Sequence, residues 1–165
     1  VLAVPVAQPK PGKDPPETTV AAALVRQGRA TIGWVGDSRA YLISGNSGRL
    51  LTRDDSWLAD MVDSGAMSRE AARTDRRAHS ITQCLGVVDV EISVHVEEVA
   101  VETGAWLVLC TDGLWNYLEE GDDLALALAA GPLESDALDR CRRLASLANA
   151  GGGHDNISVA MLRIV

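Results

Sequence analysis

Trp106-Leu107-Val108-Leu109-Cys110 is apolar at every position. A short run of this kind fits a strand covered on both faces, because neither of its two alternating sets of side chains is polar. A chain that holds such a strand needs a layer on each side of it. The rest of the sequence supplies those layers. Residues 18–25 and 29–35 read as strands joined at Gly28. The runs 41–43 and 49–52 flank Gly45-Asn46-Ser47-Gly48, a hairpin signal. Val90, Ile92, Val94 and Val96 alternate with Glu91, Ser93, His95 and Glu97. That pattern predicts a strand with its apolar set buried and His95 on the wet face. Residues 157–165 form a final strand.

Helical signals lie between these runs. Ser56 is a candidate N-cap, with Leu58, Met61 and Val62 at helical spacing before Gly65. Ser68 caps a second short helix through Ala71 and Ala72, and residues 73–80 read as irregular. Residues 124–130 are rich in Ala and Leu and stop at Gly131-Pro132. After Ser135, a stripe of Ala137, Leu138, Cys141, Leu144, Ala145 and Ala148 marks a longer amphipathic helix, ended by Gly151 to Gly153. Strands on both sides of a helical middle, with two helices near the end, predict a layered α+β fold of antiparallel sheets with outer helices.

Composition narrows the function. Apolar residues make up 47% and charged residues 23% of the 165 residues, a globular balance for one domain or most of one. Residues 1–17 read as a loop or linker, because the stretch 7–17 holds four of the six prolines. The first residue is Val1, so the chain is expected to come from a longer protein. A net charge of −8 argues against a nucleic-acid partner, which needs basic surface. No apolar run reaches the ~20 residues of a membrane span. Cys84, Cys110 and Cys141 are too scattered for a disulfide framework or a zinc cluster, and they predict reduced thiols in a cytoplasmic setting.

Three short acidic motifs lie next to strands: Gly36-Asp37-Ser38-Arg39, Thr111-Asp112-Gly113-Leu114-Trp115-Asn116 and Gly152-Gly153-His154-Asp155-Asn156. Asp beside Gly is ordinarily a turn residue, and each motif alone reads as a turn. Gathered from separate strand ends, such carboxylates make an oxygen-only site suited to Mg²⁺ or Mn²⁺. Two other chemistries are excluded. A cysteine phosphatase needs an Arg six residues after its Cys, and Val90, Asn116 and Leu147 stand there. A nucleotide-binding Gly-Lys-Ser/Thr is ruled out because no Lys follows Lys13.

The run from Trp34 to Leu42 resembles the central motif of the PP2C (PPM) family of metal-dependent serine/threonine protein phosphatases, a strand ending in Gly-Asp-Ser-Arg. Thr18-Thr19, Leu51-Thr52-Arg53-Asp54-Asp55-Ser56, the segment from Ile81 to Gly86, the strand into Asp112-Gly113-Leu114-Trp115 and the stretch from Gly152 to Val159 resemble its other signatures, in order. The resemblance implies an α-β-β-α sandwich whose N-terminal portion lies upstream, with residues 18–165 a partial phosphatase domain and 56–86 a flap beside the site. It implies Asp112 and Asp155 as ligands of a catalytic pair of Mn²⁺ or Mg²⁺ ions. It implies a third site at Asp37 and Asp112, weakened by Asn116 where the family usually has Asp. Gly36, Gly113 and Asn156 would shape the motifs. His154 falls at a variable position and is not expected to be a ligand. Asp55 replaces the usual His, at a position not expected to be catalytic. Trp34, Trp106 and Trp115 are expected to be packing residues. The implied partners are phosphorylated proteins made by a serine/threonine kinase. The implied reaction is hydrolysis of phosphoserine and phosphothreonine esters. The family's Asp-Gly-His-Gly motif and its phosphate-holding Arg do not occur in this chain, so the segment alone is expected to be inactive. The alternative is a pseudophosphatase that keeps the fold as a binding or regulatory module. Asn116 favours that reading, and the retained Asp37, Asp112 and Asp155 oppose it.

Overall fold

The computed structural model describes residues 16–87, 90–131 and 136–165. Residues 1–15 of the linker expected over 1–17, the stop at Pro132 and Ser135 lie outside these residues. Two antiparallel sheets form the centre. The first has the order β1-β2-β5, from β1 (Val20–Arg26), β2 (Arg29–Val35) and β5 (His95–Ala100). The second has the order β4-β3-β6-β7, from β3 (Arg39–Ser44), β4 (Ser47–Leu50), β6 (Trp106–Cys110) and β7 (Val159–Arg163).

The apolar strand β6 sits inside the four-stranded sheet, as its composition demands. One of its faces contributes Leu107 to a core with Ala30, Ile32, Trp34 and Val99 of the first sheet. The other contributes Val108 and Cys110 to a second core beneath α4 (Gly121–Ala129) and α5 (Ala137–Ala150), with Tyr41, Leu124, Leu128 and Leu144. The stripe expected on α5 supplies the buried Leu144 and Ala148, with Ala137, Cys141 and Ala145 half-buried, but Leu138 is 54% exposed, at the start of the helix beyond the core. Asp136 caps this helix by accepting from the Asp139 N–H. The described residues therefore stack as sheet, sheet, helices. The outer face of the three-stranded sheet leaves Leu24 68% and Val96 66% exposed.

The expected hairpin is present, with β3 and β4 joined through Gly45 and Asn46 and with Ser44 opposite Ser47. Ser47 and Gly48 belong to the strand rather than to the turn. Gly48 and Gly121 meet backbone to backbone, so a Cβ on either would overlap the other's carbonyl. This contact seats the start of α4 on β4.

Residues 56–86 form an excursion that leaves and returns at one place. Trp57 N–H donates to the Ser80 carbonyl, and Thr82 N–H donates to that of Asp55. Within it, α1 (Trp57–Asp63) and α2 (Arg69–Arg73) pack on each other. Both predicted caps hold: Ser56 accepts from Ala59 N–H and Ser68 from Ala71 N–H, each at 3.2 Å.

One strand reading fails. The alternation at 90–97 predicts buried valines, but β5 starts at His95, and Val94 and Val96 are 62% and 66% exposed. The register explains this. His95 lies opposite Trp34, and Val99 opposite Ala30, so the inward phase belongs to these residues. His95 is not a plain surface residue. It stacks on Trp34 with ring centres 5.0 Å apart and bonds Asp55 at 2.8 Å.

Candidate active site

Three acidic motifs project from the strand ends. Asp37 lies in the connection between β2 and β3. Gly36 before it has φ +97°, and the Thr19 side chain occupies the place a Cβ would need. Asp55, 2% exposed, pins this turn by accepting from the Gly36 N–H at 2.8 Å. Its second oxygen meets His95.

Asp112 follows β6 and opens a four-residue helix, α3 (Asp112–Trp115), where the sequence suggested only a turn. The third motif follows α5 and precedes β7. Pairing of β6 with β7 sets Cys110 opposite Val159 and so brings the second and third motifs side by side. A clasp completes the junction. Thr111 Oγ1 donates to the Asn156 carbonyl at 3.2 Å and accepts from the Ser158 N–H at 3.0 Å. Gly113 lies against the Asn156 carbonyl so closely that a Cβ would overlap it. The predicted roles of Gly113 and Asn156 thus resolve into one contact between the two acidic loops. Asp112 accepts from Gly113 N–H and Asp155 from Asn156 N–H.

One pocket is lined by Asp37, Asp112, Asn116 and Trp115. An adjoining one is lined by Asp155, Gly113, Asn116 and His154. Asn116, exposed at the end of α3, lies on the boundary between them. Trp115 does more than fill space: its indole N–H donates to the Asp37 carbonyl at 2.9 Å. Arg39 lies over the Trp115 ring at 3.8 Å and grips Asp54 through two hydrogen bonds of 2.9 and 2.7 Å. Sequence reasoning missed Asp54, Arg73, His79 and Glu119, which also line the Asp37 pocket. The cluster of arginines in 69–77 was the available signal.

Burial, followed by the nearby carboxylates of Asp112 and Asp54, pushes the Asp37 carboxyl up to about 6. Repelling oxygen donors of this kind suit a hard divalent cation, whose charge relieves the repulsion. Asp37 and Asp112 line one pocket and as a donor pair fit such an ion, and Asn116 lines the same pocket. Among the described residues, no group of three or more His, Cys, Asp or Glu side chains is gathered closely enough to hold a metal. Burial, against the lowering effect of Arg39, pushes the Cys110 thiol up to about 12, which disfavours the thiolate a nucleophile needs.

The Asp37 shift carries a stability consequence. A carboxyl raised in the fold contributes stability below its ordinary value near 4, and that contribution is lost as pH rises through about 6. Asp37→Asn is expected to stabilise the metal-free protein at pH 7.5 by about 1 kcal/mol after allowing for solvent screening, seen as a higher melting temperature. At pH 4 the gain should vanish. Melting curves in EDTA at both pH values check this, and a gain of equal size at pH 4 contradicts the charge argument.

The arrangement defines an α+β sandwich with a pocket rich in carboxylates at the ends of its strands. The sequence profile of the Protein phosphatase 2C family matches residues 10–148. The chain belongs to that family. It is 32% identical over 145 residues to the serine/threonine phosphatase stp of Listeria innocua, covering 88% of this chain and 56% of that protein. The S. agalactiae serine/threonine phosphatase superposes with a TM-score of 0.82 at 31% identity, over 90% of this chain and 60% of that one. The catalytic domain of the serine/threonine protein phosphatase PstP, in complex with two manganese ions, superposes at 0.68 with 30% identity, over 88% and 57%. The chain spans a little over half the length of the relatives it matches. No described helix is long and apolar enough to cross a membrane.

Proposed function

We propose that the protein is a metal-dependent phosphatase that hydrolyses phosphoserine and phosphothreonine esters of proteins, the products of a serine/threonine kinase. The observation that carries this reading is the Thr111 clasp, which joins the Asp112 and Asp155 loops beside the pocket of Asp37. Asp112 and Asp155 would hold a catalytic pair of Mn²⁺ or Mg²⁺ ions, and Asp37, Asp112 and Asn116 a weaker third. When bound, these ions supply an acidified water as nucleophile and positive charge for the phosphate oxygens. The chain's own part is positioning. Gly36 and Asp55 fix the Asp37 turn, α3 fixes Asp112, and the β6–β7 pairing fixes Asp155. Residues 56–86 serve as the flap beside the site, within a partial domain of residues 18–165. The cysteines are free, with Cys84 and Cys110 buried, which supports a cytoplasmic setting.

Asn116 favours the second reading, a binding or regulatory module without turnover. One titration separates the two and tests the third site. In the full-length protein, Mn²⁺ is titrated against turnover of a phosphothreonine peptide in the wild type and in Asn116→Asp. An amide offers a hard cation only a carbonyl dipole, so the variant should reach full rate at lower Mn²⁺. Superimposable curves remove the third-site role. Absence of Mn²⁺-dependent turnover in both proteins removes the phosphatase reading. The 165-residue chain alone is expected to turn over little in the same assay.

A further inference from the structure

Two arginines line the Asp37–Asp112 pocket, and their situations differ. Arg39 is committed. Its side chain is 7% exposed, it holds Asp54 with two bonds, and it also donates to the Tyr41 hydroxyl at 3.2 Å. Arg73 belongs to the 56–86 excursion, a wall separate from the elements that carry Asp37 and Asp112. Its side chain is 47% exposed and meets the Glu119 carboxylate at 2.5 Å. Glu119 is itself 32% exposed and shared with Arg69 at 3.7 Å. An ion pair open to solvent contributes little and exchanges partners readily. The surroundings add a bias. Residues 69–77 hold four of the chain's thirteen arginines, on a molecule whose net charge is −8.

We propose that Arg73 is a specificity residue that reads a carboxylate flanking the phosphoresidue of a peptide substrate, with Glu119 as its resident stand-in. The inference rests on the phosphatase reading for the identity of the peptide. On that reading the phosphate itself goes to the acidic floor with its ions. The flap wall then meets what is attached to the phosphate. An acidic side chain there can take over the Arg73 guanidinium through a charge-assisted, two-bond contact. Glu119 is released to solvent at small cost. Its backbone carbonyl stays bonded to the Tyr41 hydroxyl, so the exchange leaves the core untouched.

The test measures binding and turnover separately in the full-length protein with Mn²⁺. One fluorescent phosphothreonine peptide carries glutamates after the phosphoresidue, and its control carries alanines. The readout is the ratio of their affinities by fluorescence anisotropy. Arg73→Ala should lower the acidic-over-neutral ratio by about threefold, the scale of one solvent-open ion pair. Arg73→Lys should lower it less. Glu119→Gln should raise it several-fold by freeing the guanidinium. A ratio unchanged by Arg73→Ala, an equal loss on both peptides (which points to the phosphate itself or to folding), or failure of wild type to bind either peptide overturns the proposal. Turnover distinguishes the two readings: a preserved ratio effect without Mn²⁺-dependent hydrolysis sinks catalysis and leaves Arg73 as the selector of a binding module.

Discussion

Asp112→Asn and Asp155→Asn, each made in the full-length protein, are expected to lower kcat by roughly two or more orders of magnitude. Each change replaces a carboxylate by a near-isosteric amide at a position proposed to hold the catalytic ions, and ion-generated nucleophile and charge supply much of such a rate. Both residues already have local backbone partners, Gly113 N–H and Asn156 N–H. An amide oxygen can accept the same bonds, so the fold should survive. Steady-state turnover at saturating Mn²⁺, with circular dichroism to show an intact fold, decides the matter. Near-normal turnover in either variant contradicts the assignment of that residue.

The second large effect is on stability. Arg39 and Asp54 form an ion pair with side chains 7% and 12% exposed. Removing one partner leaves a buried charge without compensation, a loss of roughly 3 kcal/mol or more. Arg39→Ala should therefore lower the melting temperature by about 10 °C in a domain of this size. It also strips the cation from the Trp115 face and so loosens the indole that holds the Asp37 carbonyl. The double variant Arg39→Ala/Asp54→Ala should be less destabilised than the two single losses summed, because no lone charge remains. Additive losses would show that the two residues act independently.

Much of this architecture was readable where the cause is local. Trp106 to Cys110 announced a doubly covered strand, and the cores on its two faces match that demand. Ser56, Ser68 and the α5 stripe were legible because capping and helical period are properties of neighbouring residues. The phase of β5 was not. Alternation states that two faces differ, but pairing with β2 decides which face turns inward, and a stacked His95 took the place expected for a valine. The helix α3 was hidden because four residues carry too little periodic signal. At the site, the acidic motifs were visible as motifs, and Asp37, Asp112 and Asn116 do share a pocket. The Asp55–His95 bond, the Arg39–Asp54 pair and the Arg73 wall join residues 15 to 46 positions apart. No local rule connects them.

The meeting of Gly48 with Gly121 bears on how descendants of this chain can change. Most tight contacts drift through compensation: one side chain grows while its neighbour shrinks. Here both partners already have no side chain, and each would strike the other's main chain. Neither substitution has a rescuing partner within the pair. The hairpin and the start of α4 are thus welded at a point with no intermediate steps around it. Variation can enter only by rebuilding the turn or the helix start as a whole, through insertion or deletion rather than through point replacement.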